Sequence, residues 1–282
     1  MLLTSEEVLD EFDLKTYKTS SAGHQRLLPV ISSCKKAKLN SCDLTEKSCD
    51  IVASALQSSN STLTDLDLSY NNLGDSGVEL LCAGLRSPIC KLQRLGLNNC
   101  ELTQKCCNIV ASALQSSDSP LRDLDLSYNN LGDSGVKLLC AGLKSPNCKL
   151  QRLGLNSCKL TQKCCNIVAS ALQSSNSPLR DLDLSYNNLG DSGVKLLCAG
   201  LRSPNCKLQR LGLNNCKLTQ KCCDIVASAL QSSNSPLRDL DLSCNNLGDS
   251  GVDMENIGWV GVISQRAAVM FWPQSCVLLT QS

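Results

Sequence analysis

Histidine occurs once in this chain, at His24, and aromatic residues make up only 3% of it. A Cys/His or Ser/His/Asp centre would have to recruit that single imidazole, and no motif around it locates a nucleophile, so no catalytic residues are expected. With so few aromatics the core must be aliphatic, and surface anchors of the Tyr or Trp kind are scarce. Charge of one sign is not in excess either, since 27 basic residues face 26 acidic ones. That balance gives no field suited to nucleic acid, an anionic membrane or an acidic substrate. Apolar runs stay short of the ~18 residues that a spanning helix requires, so no membrane is expected. A secretory h-region is missing as well, because Glu6, Glu7, Asp10 and Glu11 stand where it would lie. No G-x-x-x-x-G-K-[ST] loop is present to cradle phosphates, and no cofactor is expected.

Cysteine, by contrast, is abundant, with 20 residues. Most recur at fixed intervals, at Cys82, Cys140 and Cys198 and at Cys100, Cys158 and Cys216, where an aliphatic residue would serve equally well. Free cysteine behaves as a small buried hydrophobe. The pattern therefore reads as core packing in a reducing, cytoplasmic compartment rather than as a disulfide framework. The adjacent pairs Cys106-Cys107, Cys164-Cys165 and Cys222-Cys223 lack a C-x-x-C or histidine complement, so no metal site is expected. Neighbours on a helix point about 100° apart. One of each pair is expected in the core and the other, Cys106, Cys164 or Cys222, near the surface.

The interval is 29 residues, in two alternating unit types that make a 58-residue period. Leu63 to Pro120 returns as Leu121 to Pro178 and Leu179 to Pro236, and the last two copies differ at only three of 58 positions. Self-similarity at such a period means a solenoid, whose core grows along one axis. Within each unit the hydrophobic period changes from 2 to 3.6. Leu66-Asp67-Leu68 alternates as a half-buried strand does. Asp75 or Ser76 is then expected to cap a helix through Leu80, Leu81 and Leu85, closed by Pro88. In the other unit type Thr103 is the expected cap, and Cys107, Val110, Ala111 and Leu114 form the inward stripe. The expected fold is an α/β leucine-rich repeat solenoid, a horseshoe with a parallel sheet on the concave face and helices on the convex face.

Three regions follow. Residues 1–33 precede the repeat, and two short helices are expected there, over 5–14 and 21–34, with 15–33 capping the array. Residues 34–252 hold seven units and a partial eighth, and 253–282 depart from the pattern where Val252 is followed by Asp-Met-Glu rather than Lys-Leu-Leu.

Two sets of repeat positions stand out. At the ninth position Asn71, Asn129, Asn187 and Asn245 alternate with Cys100, Cys158 and Cys216, and a ladder of hydrogen bonds to the loop backbone is expected. On the concave face the third position reads Lys36, Asp65, Arg94, Asp123, Arg152, Asp181, Arg210, Asp239, an alternating charge ladder. After Lys38 the fifth position instead holds Asp67, Asp125, Asp183 and Asp241 separated by glycines. Beside these run Tyr70, Tyr128 and Tyr186. This Asp/Tyr stripe is the candidate surface for a protein ligand.

The alternating units with strand motifs LxxLDLSYNNLGDSGV and LxxLGLNxCxLT resemble the ribonuclease-inhibitor subtype of leucine-rich repeats. The wording of residues 2–20, 26–37, 44–61 and 66–78 looks closer still to NOD-like receptors with NACHT and leucine-rich repeat domains, of the expanded fish type. The resemblance implies a non-catalytic recognition module, the sensing and autoinhibitory arm of an innate immune receptor. A second reading is a stand-alone inhibitor that occludes a basic enzyme.

Overall fold

The computed structural model of the protein describes residues 9–230 and 236–248. The divergent stretch 253–282 lies outside them. Nine parallel strands stand side by side in chain order in one open sheet. They are β1 (Leu9–Asp13), β2 (Cys34–Lys38), β3 (Asp65–Asp67), β4 (Arg94–Gly96), β5 (Asp123–Asp125), β6 (Arg152–Gly154), β7 (Asp181–Asp183), β8 (Arg210–Gly212) and β9 (Asp239–Asp241). From β2 onward each strand is joined to the next through a helix on the convex side. These helices are α2 (Glu46–Leu56), α3 (Gly74–Leu85), α4 (Gln104–Gln115), α5 (Gly132–Leu143), α6 (Gln162–Leu172), α7 (Gly190–Leu201) and α8 (Lys221–Leu230); α1 (Ser21–Leu27) precedes β2.

The alternation Asp-Leu-Asp explains the strands. The central leucine turns inward and its neighbours turn to the concave face. Leu66 pairs in register with Leu95, and Leu124, Leu153, Leu182, Leu211 and Leu240 continue the row. All are buried, and a single hydrophobic core runs from Phe12 to Leu247. One unit could not bury both its strand leucines and its helix stripe; stacking covers them.

The helices start in two ways. Thr103 and Thr161 cap α4 and α6 by accepting the N–H of Lys105 and Lys163. The other type begins at Gly74, Gly132 and Gly190, whose positive φ near 60° bends the chain out of the loop. Asp75, expected along with Ser76 as an alternative cap of α3, lies like it inside the first turn, and no side chain caps that helix. Its carboxylate instead reaches the next unit, where it accepts from Thr103 N at 2.9 Å and Thr103 Oγ1 at 2.6 Å. Asp133 and Asp191 repeat this link to Thr161 and Thr219. The carboxylate is drawn across because the backbone N–H of the capping threonine would otherwise lack an acceptor.

The helices pack in tight pairs, α2 with α3, α4 with α5 and α6 with α7. A methyl group on Gly135 would stand 2.8 Å from Cys107 Sγ, and one on Gly142 would stand 3.0 Å from the Ala111 backbone. The cysteine is there because a small apolar side chain fits against a glycine. Both members of each cysteine pair are buried, which corrects the expectation that Cys106, Cys164 and Cys222 approach the surface. A solenoid helix has a neighbour on each side, so a 100° step moves a side chain from one interface to the other. Cys107 faces Gly135 ahead, while Cys106 lies within the electrostatic reach of Cys82 and Asp75 behind.

The N-terminal region also departs from expectation. Within 5–14, residues Leu9–Asp13 form β1 rather than a helix, pairing in parallel with β2. Asp10 and Glu11 meet Lys35 and Lys38 at 2.7 and 2.6 Å, while Phe12 and Leu14 enter the core. The open hydrogen-bonding edge of β2 outweighs weak helical periodicity in so short a stretch. The second expected helix splits at Pro29 into α1 and a 3₁₀ segment, Leu28–Ser33.

Candidate functional site

The concave face is built of four rows that run across the strands. In the third-position row the register places Asp65 beside Arg94, Asp123 beside Arg152 and Asp181 beside Arg210. Arg94 pairs with Asp65, and Arg152 lies 3.4 Å from Asp123 and 3.6 Å from Asp181. Arg210 continues the row, 4.0 Å from Asp181 and 3.7 Å from Asp239. The arginine of each pair is more than half exposed, so each pair contributes at most about 1 kcal/mol. Burial raises the Asp123 and Asp181 carboxyls above the usual range, and the arginines beside them offset part of that shift.

The fifth-position row is different. Asp67, Asp125, Asp183 and Asp241 each bend back so that Oδ1 accepts the N–H two residues on, from Ser69, Ser127, Ser185 and Ser243, at 2.9 to 3.0 Å. Gly96 and Gly154 stand beside Asp67 and Asp125, and a methyl group there would meet Oδ1 at 2.8 and 2.5 Å. The glycines alternate with the aspartates because the carboxylates recline over them. Among the described residues none of these four aspartates forms a salt bridge. Lys38 stands opposite Asp67 in register but pairs with Glu11, and among the described residues no hydrogen bond reaches Oδ2 of Asp67, Asp125 or Asp183.

The seventh-position row alternates serine with asparagine. Ser69, Ser127 and Ser185 accept the N–H of Asn98, Asn156 and Asn214. The side-chain oxygens of those three asparagines are buried and have no hydrogen-bond partner among the described residues. The strand motif alone carried no sign of these orphan acceptors. At the eighth position stand Tyr70, Tyr128 and Tyr186, 37%, 49% and 47% exposed. All three adopt positive φ, 56° to 58°, a backbone region that costs a bulky residue about 1 kcal/mol or more. Asn99, Ser157 and Asn215 occupy the intervening strands with the same φ sign. A shallow depression of 270 Å³ opens over β2 to β6, lined by Asp67, Gly96 and Asp125 together with Lys36, Lys38, Arg94 and Arg152.

The ninth-position residues lie beneath the surface. Asn129 Oδ1 accepts from Cys100 N and Leu102 N, both at 3.0 Å, and Nδ2 donates to Leu97 O, Leu126 O and Ser127 O. Asn71, Asn187 and Asn245 repeat the set one period away. Cys100, Cys158 and Cys216 fill the alternate places, each with Sγ 3.3 Å from a leucine carbonyl of the preceding unit. Burial pushes these three thiols up to about 12. His24 lies apart in α1, its Nδ1 3.3 Å from the Cys42 carbonyl.

A family model described as Leucine Rich repeat matches residues 59–82, 117–140, 175–198 and 233–254, one match per 58-residue period. Ribonuclease inhibitor of Mus musculus is 42% identical over 69 residues, and that of Sus scrofa 40% over the same length. Each match covers 24% of this chain and only 15% of the inhibitor. In fold the chain is similar to the crystal structure of an internalin from Listeria monocytogenes, with a TM-score of 0.51 and 16% identity over 88% of this chain and 64% of that one. The chain carries a leucine-rich repeat region, folded as a horseshoe-like solenoid, with similarity to ribonuclease inhibitors.

Proposed function

We propose that this chain is a non-catalytic recognition arm that holds a protein ligand on its concave face, as the sensing part of a cytoplasmic NOD-like receptor would. The carrying observation is the contrast between two acidic rows. Third-position aspartates are neutralised by Arg94, Arg152 and Arg210, whereas Asp67, Asp125 and Asp183 form no salt bridge among the described residues. Tyr70, Tyr128 and Tyr186, exposed beside that row, add contact area. Buried free thiols throughout the core agree with a reducing compartment.

A photo-crosslinking residue placed at Tyr128, on the concave side, and at Lys137, on the convex helix α5, tests the reading. Excess unlabelled protein should abolish the Tyr128 adduct, and the triple variant D67N/D125N/D183N should not. Equal adducts from both positions would remove the concave face from consideration. The second reading, occlusion of a basic enzyme, is favoured by the similarity to ribonuclease inhibitors. It requires one-to-one inhibition of a basic ribonuclease that the same triple variant loses.

A further inference from the structure

The free carboxylates are periodic, and their period restricts the shape of what they can hold. Neighbouring strands are about 4.8 Å apart, so aspartates on every second strand recur about every 9.6 Å. Curvature toward the concave side draws side-chain tips slightly closer than that. An extended β-strand repeats a side in about 6.8 Å and falls out of step at the first interval. Seven residues of α-helix span about 10.5 Å and drift about 3 Å over three intervals. A polyproline II helix has three residues per turn and a rise of about 3.1 Å, hence a repeat of about 9.3 Å. Its drift over the three intervals from Asp67 to Asp241 is about 1 Å, within reach of a flexible cationic side chain.

We propose that the Asp/Tyr stripe binds a basic polyproline II segment, with lysine or arginine at every third residue over Asp67, Asp125, Asp183 and Asp241. The inference rests on the concave-face reading and names the ligand class for it. Charge complementarity selects a cation, since these carboxylates make no salt bridge among the described residues. The tyrosines recur on the same two-strand spacing, and aromatic ridges are surfaces on which proline rings pack. A further observation concerns Asn98. It lies two residues beyond Gly96, is only 8% exposed, and among the described residues its Oδ1 has no hydrogen-bond donor. Asn156 and Asn214 repeat that unmet acceptor one period apart. These oxygens are closed to solvent, so the asparagine side chain has to turn toward the groove before a guanidinium over the glycine, paired with the neighbouring aspartate, supplies the missing N–H.

The test uses the full chain and three fluorescent peptides of equal charge. The first is five repeats of Pro-Pro-Arg, the second has the same composition with unevenly spaced arginines, and the third is an alanine-rich helix with arginine on one face. The in-register peptide should bind at least tenfold more tightly than either other, and the preference should weaken as salt rises. D67N/D125N/D183N should lose the preference. Asparagine keeps the Oδ1 acceptor for the serine N–H, so an unchanged thermal melt shows the variant folded. Equal binding of the three peptides, absent binding at millimolar peptide, or a preference that survives in the triple variant each overturns the proposal. If the peptides fail while the Tyr128 crosslink stays sensitive to the triple variant, the ligand class is wrong and the concave-face reading stands.

Discussion

A few side chains hold positions that backbone geometry makes expensive to leave empty. Asn129 satisfies two backbone N–H groups and three carbonyls, whereas Cys158 one unit later contributes only its thiol to Leu126 and Asn156. Asn129→Ala should therefore lower the unfolding free energy by on the order of 3 kcal/mol, and Cys158→Ala by about 1 kcal/mol. Urea titrations of the two variants check this, and equal losses would contradict the hydrogen-bond assignment. Tyr128 is the reverse case. Its positive φ suits asparagine better than tyrosine, so Tyr128→Asn should leave the melting temperature unchanged or raised while weakening ligand capture. A clear drop in melting temperature would mean that the ring is structural. At this scale the sequence was informative where the partner is near in the chain. The Thr103 cap is two residues from its donor, Lys105 N. The Asp75–Thr103 link spans 28 residues between successive units, and no local pattern shows it. The orphan oxygen of Asn98 is likewise visible only once neighbouring strands are in place.

At the scale of elements, period and propensity locate the repeat strands and helices because each unit repeats the same local chemistry. They fail at Leu9–Asp13, where the acidic stretch has no strong periodicity and the open edge of β2 decides its conformation. They also cannot reveal that helices pack in unequal pairs. That follows from Gly135, Gly142, Gly193 and Gly200 meeting small residues of the preceding helix. Gly200→Ala would put a methyl group 2.8 Å from Ala169 Cα and 3.0 Å from its carbonyl oxygen. Helix propensity favours the substitution by about 1 kcal/mol, while overpacking against backbone costs about 1–3 kcal/mol. The net outcome should be destabilisation, read as a lower urea midpoint. A stabilised variant would mean that α6 and α7 can slide apart.

For the whole molecule, the thiols set the pH limit. Burial raises Cys49, Cys82, Cys100, Cys140, Cys158 and Cys216 from 9.0 to about 12. The unfolded chain releases those protons first, so stability is intact below pH 9 and is lost as pH rises toward 12. Melting temperatures should fall steeply across that window. In the native state at neutral pH, Cys244 is the one exposed thiol among the described residues, so a colourimetric thiol reagent should reach it quickly and the buried ones only on unfolding. Fast labelling of Cys106 or Cys164 would refute the two-sided burial of the pairs. The solenoid itself could be read from the chain, because a 29-residue period with an inward leucine pattern admits only stacking. Which concave charges are free could not. Asp123 and Asp125 sit two residues apart in one strand, yet register brings arginines beside the first and glycines beside the second. Composition counts both as acidic; only the alignment of neighbouring strands decides that one is paired with arginine and the other is not.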